Sequence, residues 1–233
     1  MSDGREARIF RWAQAYLARR GYVYRFQWEI YDRLLRKSVP ADGVWIDLGC
    51  GDNRWLERVQ ARVRLGIDVG IHDGLRDSTF AQGSVYELPF ANESVDALSA
   101  RFVVEHLSDP IAFFAESARV LKPGGSLVIQ TTNVMSPLLF LASKVPYAFR
   151  RWFTGRLFRV RETDVFPTYY RFNSPDLYRE TIHGLVPKQV VLHSGVSLSR
   201  PWLFLLGYYY ERATDRPLLE RFKMNISAVY KRV

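Results

Sequence analysis

The sequence predicts an α/β fold, a doubly wound and mostly parallel sheet with helices on both faces. Three observations predict it. Val44–Leu48 is a short apolar run of the kind that forms a strand buried on both faces. It breaks at Gly49 and Gly51, and a helical pattern follows over Arg54–Val59, so strand, glycine turn and helix come in succession. A second apolar run, Leu65-Gly66-Ile67, ends in Asp68, ~20 residues after the turn, the spacing of an acid at the end of the next parallel strand. The chain has 233 residues, 48% of them hydrophobic, which suffices for one substantial core.

The elements follow in order. Glu6–Arg20 reads as an amphipathic helix with Ile9, Phe10, Ala13, Tyr16 and Leu17 on one face, stopped by Gly21. Phe26–Lys37 reads as a second helix, ended by Ser38-Val39-Pro40. The first strand is Val44–Leu48, and the helix after it runs to about Ala61. Strand two is Val63–Asp68, a short irregular or helical piece covers 71–75, and Phe80–Gly83 is a short third strand. Ser94–Ala100 is strand four. Asp109 caps the next helix with Pro110 at its first position, and Lys122-Pro123-Gly124-Gly125 turns into strand five, Ser126–Thr132. A helix from Pro175 to His183, capped by Ser174, precedes strand six, Lys188–Ser194. Pro201–Phe222 is helical or irregular, and Ile226–Lys231 is the last strand. There is no internal repeat.

The glycine turn lets backbone pass close under a ligand. The carboxylate of Asp68 suits a ribose, because it accepts from two neighbouring hydroxyls at once. Both a nicotinamide dinucleotide and S-adenosylmethionine meet these conditions. The dinucleotide fingerprint needs a third small residue three positions after the second glycine, and Arg54 stands there with Trp55 behind it.

The stretch Asp47-Leu48-Gly49-Cys50-Gly51 resembles motif I of the class I S-adenosylmethionine-dependent methyltransferases. Ser84-Val85-Tyr86-Glu87-Leu88-Pro89-Phe90, Val104-Glu105-His106-Leu107-Ser108-Asp109-Pro110 and Arg119–Gly125 resemble further motifs of that family, in its order, and the likeness points to the ubiquinone- and menaquinone-methyltransferase-like branch. Two positions depart from the pattern: Asn53 replaces a common third glycine, and Ser84 replaces an aspartate that accepts from the adenine amino group. The resemblance implies a Rossmann-like seven-stranded sheet closed by an antiparallel hairpin, as a single domain over 1–233. Residues 1–40 are then a helical cap and 136–173 a lid-like insertion after strand five. It implies S-adenosylmethionine as donor, S-adenosylhomocysteine as product and no metal. The residues expected at the cofactor are Asp47, Gly49, Gly51, Asn53, Asp68, Val69, Ser84, Val85 and Arg101. His106 is the candidate base, against the alternative of a histidine bonded to backbone. Tyr169, Tyr170 and Arg171 are expected at the acceptor, where aromatic walls and a fixed guanidinium suit a phosphate or carboxylate.

Composition narrows the classes. The one cysteine, Cys50, excludes a disulfide framework and a cysteine zinc cluster. Because Cys50 sits in the turn, it also excludes the covalent adduct of cytosine methylation. The Asn/Asp-Pro-Pro-Tyr motif of amino-directed DNA methylation is missing, and no RNA-binding module is evident. Lys+Arg 33 against Asp+Glu 24 leaves +9, which suits anionic lipid, nucleic acid or an acidic substrate as well as ordinary solubility. No apolar run approaches the ~18 residues of a membrane span, and the first residues carry no apolar signal core, so a cytoplasmic protein is expected. The expected activity is methyl transfer, most readily to oxygen, on a small-molecule, sugar or lipid-linked acceptor. The alternatives are a non-catalytic cofactor-binding partner and a basic RNA methyltransferase, with nucleic acid the less favoured target. In 136–173, basic residues alternate with Trp152, Phe153, Leu157 and Phe158, a pattern for an anionic membrane surface or for a packed lid.

Overall fold

The computed structural model describes residues 4–71, 79–145 and 167–233. The insertion over 136–173 is therefore described only at its two ends. Trp152, Phe153 and the basic run from Arg150 to Arg161 lie outside the described residues, as does the 71–75 piece from His72 onward.

Seven strands form one sheet: β1 (Val44–Leu48), β2 (Val63–Asp68), β3 (Phe80–Gln82), β4 (Val95–Arg101), β5 (Leu121–Thr132), β6 (Leu185–His193) and β7 (Asn225–Arg232). Their order is β3-β2-β1-β4-β5-β7-β6. The first five run parallel, and β7 inserts antiparallel between β5 and β6. The order reverses between β1 and β4. The crevice outside the carboxyl ends of those two strands is where such a sheet binds ligands.

The strands are apolar on both faces because helices cover both. Trp45, Ala97, Val128 and Val229 face α2 (Gln27–Ser38), which contributes Ile30, Tyr31, Leu34 and Leu35. Ile46, Leu48, Leu98, Leu127 and Ile129 face the other way and pack with Phe113, Phe114 and Ala118 of α3 (Pro110–Val120). Each fully buried Leu, Ile or Phe contributes about 1.5–3 kcal/mol of transfer free energy. A third cluster joins α1 (Gly4–Ala18) to α5 (Pro201–Thr214) through Ala13, Leu17, Phe204 and Tyr208. A further helix among the described residues, α4 (Pro137–Lys144), follows β5. Asp109 caps α3 as expected, its carboxylate accepting from the Ala112 amide at 3.1 Å.

Two expected helices do not form. After the glycine turn, residues 54–58 make i→i+3 turns rather than a helix: the amides of Asn53, Leu56 and Arg58 donate to the carbonyls of Cys50, Asn53 and Trp55. Asn53 sits in the left-handed region at φ 62°, which a right-handed helix start cannot accept. The Arg64 guanidinium donates to the Leu56 carbonyl at 2.6 Å, taking the acceptor that the next helical turn would use. Trp55, Leu56 and Val59 are buried all the same, so the apolar pattern reported burial and not helix. In place of a helix over 175–183 there is one 3-10 turn, Leu177–Arg179, with Asp176 and not Ser174 at its cap position. Tyr178 is pulled into the core against Phe172 and Tyr230, and left-handed His183 and Gly184 turn the chain into β6 three residues early, at Leu185.

Candidate active site

The glycine turn is built by close approach. Gly49 lies at φ 66°, and a β-carbon there would stand 2.3 Å from Val103 Cγ2, so both conformation and space require glycine. Its amide and that of Cys50 donate to the Ile67 carbonyl, at 2.7 and 3.2 Å, tying the turn to the end of β2. Gly51, at φ 55°, differs: a β-carbon there would meet nothing within 4 Å. The space over Gly51 opens into a cavity of about 530 Å³.

That cavity gathers most of the sequence-predicted residues. Gly49, Gly51, Asp68, Val69, Ser84, Val85, His106 and Tyr169 all line it. A second cavity of about 220 Å³ shares Gly49 and Gly51 and is lined by Asp47, Asp52, Arg54, Trp55 and Arg101. Asn53 lines neither. Its amide nitrogen donates to the Thr79 carbonyl at 2.9 Å, and its side chain fills the space over Gly66 of β2. Tyr170 and Arg171 also stand outside both linings. Arg171 lies at the rim, donating to the Ser108 carbonyl at 2.7 Å with its guanidinium near the Tyr169 ring. No described residue of α1 or α2 lines either cavity.

Asp68 is buried, and its two carboxylate oxygens accept from the amides of Gly51 at 2.9 Å and Gly70 at 3.0 Å. It therefore holds the glycine turn in addition to facing the cavity. Ser84 is partly committed too, its hydroxyl accepting from the Tyr86 amide at 3.2 Å. Asp47 is 2% exposed and accepts from the Ser99 hydroxyl at 2.5 Å, which in turn accepts from the Trp45 indole at 2.9 Å. Burial pushes the Asp47 carboxyl up to about 7, against the opposing pull of the Ser99 hydroxyl and Arg101. Burial also lowers the Arg101 guanidinium. That guanidinium donates to Gln130 Oε1 at 2.9 Å and lies near the rings of Trp55 and Phe102.

His106 follows β4 in a short 3-10 turn, Val104–His106. Its Nδ1 lies 2.7 Å from the Pro167 carbonyl. A carbonyl only accepts, so Nδ1 carries a proton and donates it to Pro167. Glu105 points the other way. It is buried, accepts from the Thr131 hydroxyl at 2.7 Å, and burial raises its carboxyl. Its backbone carbonyl accepts from the amides of Tyr169 and Tyr170, which docks residues 167–171 beside His106.

Sequence reasoning missed Tyr86, Phe102, Val103, Leu107, Ser108 and Pro167 in the larger lining. Several of these flank recognised motif residues, so the motifs marked the segments without marking every wall. Phe102 had no signal at all: it is left-handed at φ 56° directly after β4, a conformation that tertiary packing imposes.

The family profile described as a methyltransferase domain matches residues 46–129, the stretch that supplies both cavities' principal walls. A probable S-adenosylmethionine-dependent methyltransferase of Mycolicibacterium smegmatis is 30% identical over 125 residues, covering 50% of this chain and 48% of the relative. A ubiquinone biosynthesis O-methyltransferase of Cereibacter sphaeroides is 32% identical over 117 residues, covering 44% and 47%. The chain thus spans about half the length of the curated relatives it matches. Among solved structures, an S-adenosylmethionine-dependent methyltransferase from Mesorhizobium loti superposes with a TM-score of 0.52 at 16% identity, over 86% of this chain and 96% of that one. That likeness concerns the fold. The matched profile and the relatives thus agree in likening residues 46–129, which carry the glycine turn at the β1–β4 reversal, to a methyltransferase domain.

Proposed function

We propose that the chain transfers a methyl group from S-adenosylmethionine to a small-molecule, sugar or lipid-linked acceptor, with oxygen as the accepting atom. The observation that carries this reading is the shared lining: the glycine turn and His106 border one cavity. The open space over Gly51 fits a ligand lying on the turn. When bound, the donor supplies a methyl already activated on a sulfonium, so the protein's task is chiefly alignment.

The residues divide that task. Asp68 accepts from ribose hydroxyls while holding the turn, and Val69, Ser84 and Val85 form the wall for the base. Asp47 and Arg101 offer a carboxylate and a guanidinium in the adjoining cavity, a pair that complements the ammonium and carboxylate of an amino-acid group. Asn53 acts indirectly, by fixing the turn against Gly66 and Thr79. His106 takes the acceptor's proton on Nε2, with Pro167 holding the ring. Tyr169 walls the acceptor, with Tyr170 and Arg171 completing the rim beside it. Residues 136–173 act as the lid of a single catalytic unit over 1–233, and 1–40 as its helical cap. A lipid-linked acceptor and a peripheral contact with anionic membrane are supported by the exposed Leu138, Phe140 and Leu141 of α4 and by the charge of +9. Among the described residues no helix is long and apolar enough to cross a membrane.

The test is mass spectrometry of metabolite and lipid extracts incubated with the protein and a deuteromethyl-labelled donor. A labelled product in the organic fraction is expected. Label in nucleic acid, or none anywhere, overturns the reading. His106→Ala is expected to lower turnover at saturating acceptor by about a hundredfold with donor affinity retained. Wild-type turnover in that variant removes the base.

A further inference from the structure

One face of the molecule, on α5 and α1, is apolar, basic and exposed among the described residues. None of its residues lines the cavities over the glycine turn. Trp202, Leu206 and Tyr209 recur along α5 at i, i+4 and i+7, and each is more than half exposed. Leu203, Phe204, Gly207 and Tyr208 are buried, so α5 is apolar on its solvent side as well as on its packed side. Trp12 of α1 continues the patch. Its ring meets those of Phe204 and Tyr16, and the Tyr16 and Tyr209 hydroxyls share a hydrogen bond of 2.9 Å. Where α1 meets the start of α5 lies a surface cleft of about 310 Å³, walled by Ile9, Trp12, Pro201 and Arg8.

The charges around this patch are of one sign. From Ala7 to Arg20 the chain has Arg8, Arg11, Arg19 and Arg20, and no acid. Arg8, Arg11, Trp12 and Ala15 lie on the exposed side of α1, and Arg19 and Arg20 follow at its end. The Arg20 guanidinium stands 3.7 Å from the centre of the Tyr16 ring, at the border of the patch. The acids at the end of α5 are committed: Glu211 and Asp215 both accept from Lys223 Nζ, at 2.8 and 2.9 Å.

Contiguous exposed apolar surface on a folded chain marks a contact site, and the chemistry here selects among partners. Tryptophan and tyrosine favour the boundary between an apolar and an aqueous phase, because one end of each side chain is apolar and the other hydrogen-bonds. Arginines beside them meet phosphate groups. A second copy of this face is a poor partner, since a two-fold contact would set the four arginines against four like charges. A nucleic acid would use the arginines and leave Leu206 and the cleft at Ile9 and Pro201 unfilled.

We propose that the α1–α5 face docks on an anionic lipid bilayer, with Trp12, Trp202 and Leu206 entering the headgroup boundary and Arg8, Arg11 and Arg19 on lipid phosphates. The cleft takes the upper part of an acyl chain against Ile9, Trp12 and Pro201, with Arg8 at its phosphate. The face also adjoins the end of the sheet at which the glycine-turn cavities lie. The Tyr210 hydroxyl, next along α5, is 3.0 Å from Ser136 Oγ, just past the carboxyl end of β5. This docking uses a surface other than α4 and does not depend on methyl transfer.

The test is flotation of the whole protein with phosphatidylcholine vesicles, with and without phosphatidylglycerol, at ionic strengths of about 0.05 M and about 0.3 M, on either side of a Debye length of about 10 Å. Co-flotation with the anionic vesicles alone is expected, weaker at the higher salt. A triple variant, Arg8→Ala, Arg11→Ala and Arg19→Ala, is expected to weaken it by on the order of a hundredfold, about fivefold for each arginine. Trp202→Ser with Leu206→Ser, which keeps every charge, is expected to weaken it by roughly tenfold or more. Both side chains are already exposed, so native circular dichroism is expected of that variant. Brominated acyl chains are expected to quench tryptophan fluorescence in the wild type, and less in Trp202→Phe. Equal flotation with neutral vesicles, or none with either, overturns the proposal. So does undiminished flotation of both variants, which moves the contact to another surface. A dimer in sedimentation that Trp202→Ser with Leu206→Ser dissolves gives the face to a second copy and overturns it too. RNA retained through the three arginines, without flotation, gives it to nucleic acid and does the same. Flotation requires neither donor nor acceptor, so its outcome is separate from that of the methyl-transfer assay.

Discussion

At the scale of single residues, Asp68 holds the turn with the same side chain that borders the larger cavity. An acid at the end of the second strand was legible from spacing. Its bonds to the amides of Gly51 and Gly70 were not, because they depend on where the turn lies in space. Losing a charged acceptor costs about 1.5–3 kcal/mol. Asp68→Ala is therefore expected to weaken S-adenosylhomocysteine by roughly ten- to a hundredfold in calorimetry. Asp68→Asn, which keeps one acceptor oxygen for the turn, is expected to fall between the wild type and the alanine variant. Equal affinity of all three removes Asp68 from the site. His106 presents the opposite case. Its place after the fourth strand was readable, yet its ring is held by the Pro167 carbonyl, 61 positions along the chain.

At the scale of elements, the glycine turn is the piece that position in sequence described best and whose surroundings it described least. Gly49 is held by a left-handed backbone and by the methyl groups of Val103, which arrive from the segment after β4. Gly49→Ala is expected to cost about 1–2 kcal/mol for the backbone. Crowding against Val103 adds about 1–3 kcal/mol. Urea unfolding of a Gly49→Ala, Val103→Ala cycle separates the two: the double variant is expected to recover the crowding part only. Additive losses in that cycle refute the contact. The missing helix after this turn teaches the same lesson from the other side. Trp55, Leu56 and Val59 are buried as their spacing foretold, but Asn53 and Arg64 divert the backbone bonds that a helix would have made.

At the scale of the whole molecule, the sheet buries charged and ionisable groups whose protonation then feeds back on stability. Asp47 is the clearest. Its carboxyl titrates near 7 when folded, against about 3.9 in an unfolded chain. Below about pH 4 both states hold the proton, and the contribution to stability is fully present. As pH rises from there through 7, the unfolded chain has already released a proton that the folded chain must lose at a cost, so stability falls. Asp47→Asn keeps an acceptor for Ser99 and removes the titration. Its urea midpoint is expected to drop less than that of the wild type between about pH 5 and about pH 8, by an amount on the order of a few kcal/mol. Parallel pH profiles for the two proteins exclude a buried, titrating Asp47.

What the sequence determined by itself was the succession of the parallel strands along the chain, the glycine turn and the segments that line the larger cavity. These are local facts. A strand buried on both faces is continuously apolar, a backbone passing under a ligand needs glycine, and a capped helix needs Asp109 and Pro110 in succession. Tertiary structure decided which atoms in those segments are available. It spent Asn53 on Gly66 and Thr79, turned Glu105 away from His106, held Phe102 in a left-handed conformation and moved Arg171 to the rim. It also assembled the Arg101–Gln130–Ser227–His193 chain from four strands far apart in sequence, with no motif to announce it. The physical reason is common to all of these. Hydrogen-bond partners and steric neighbours are set by packing between elements, and residues distant along the chain carry no periodicity that records whom they will meet.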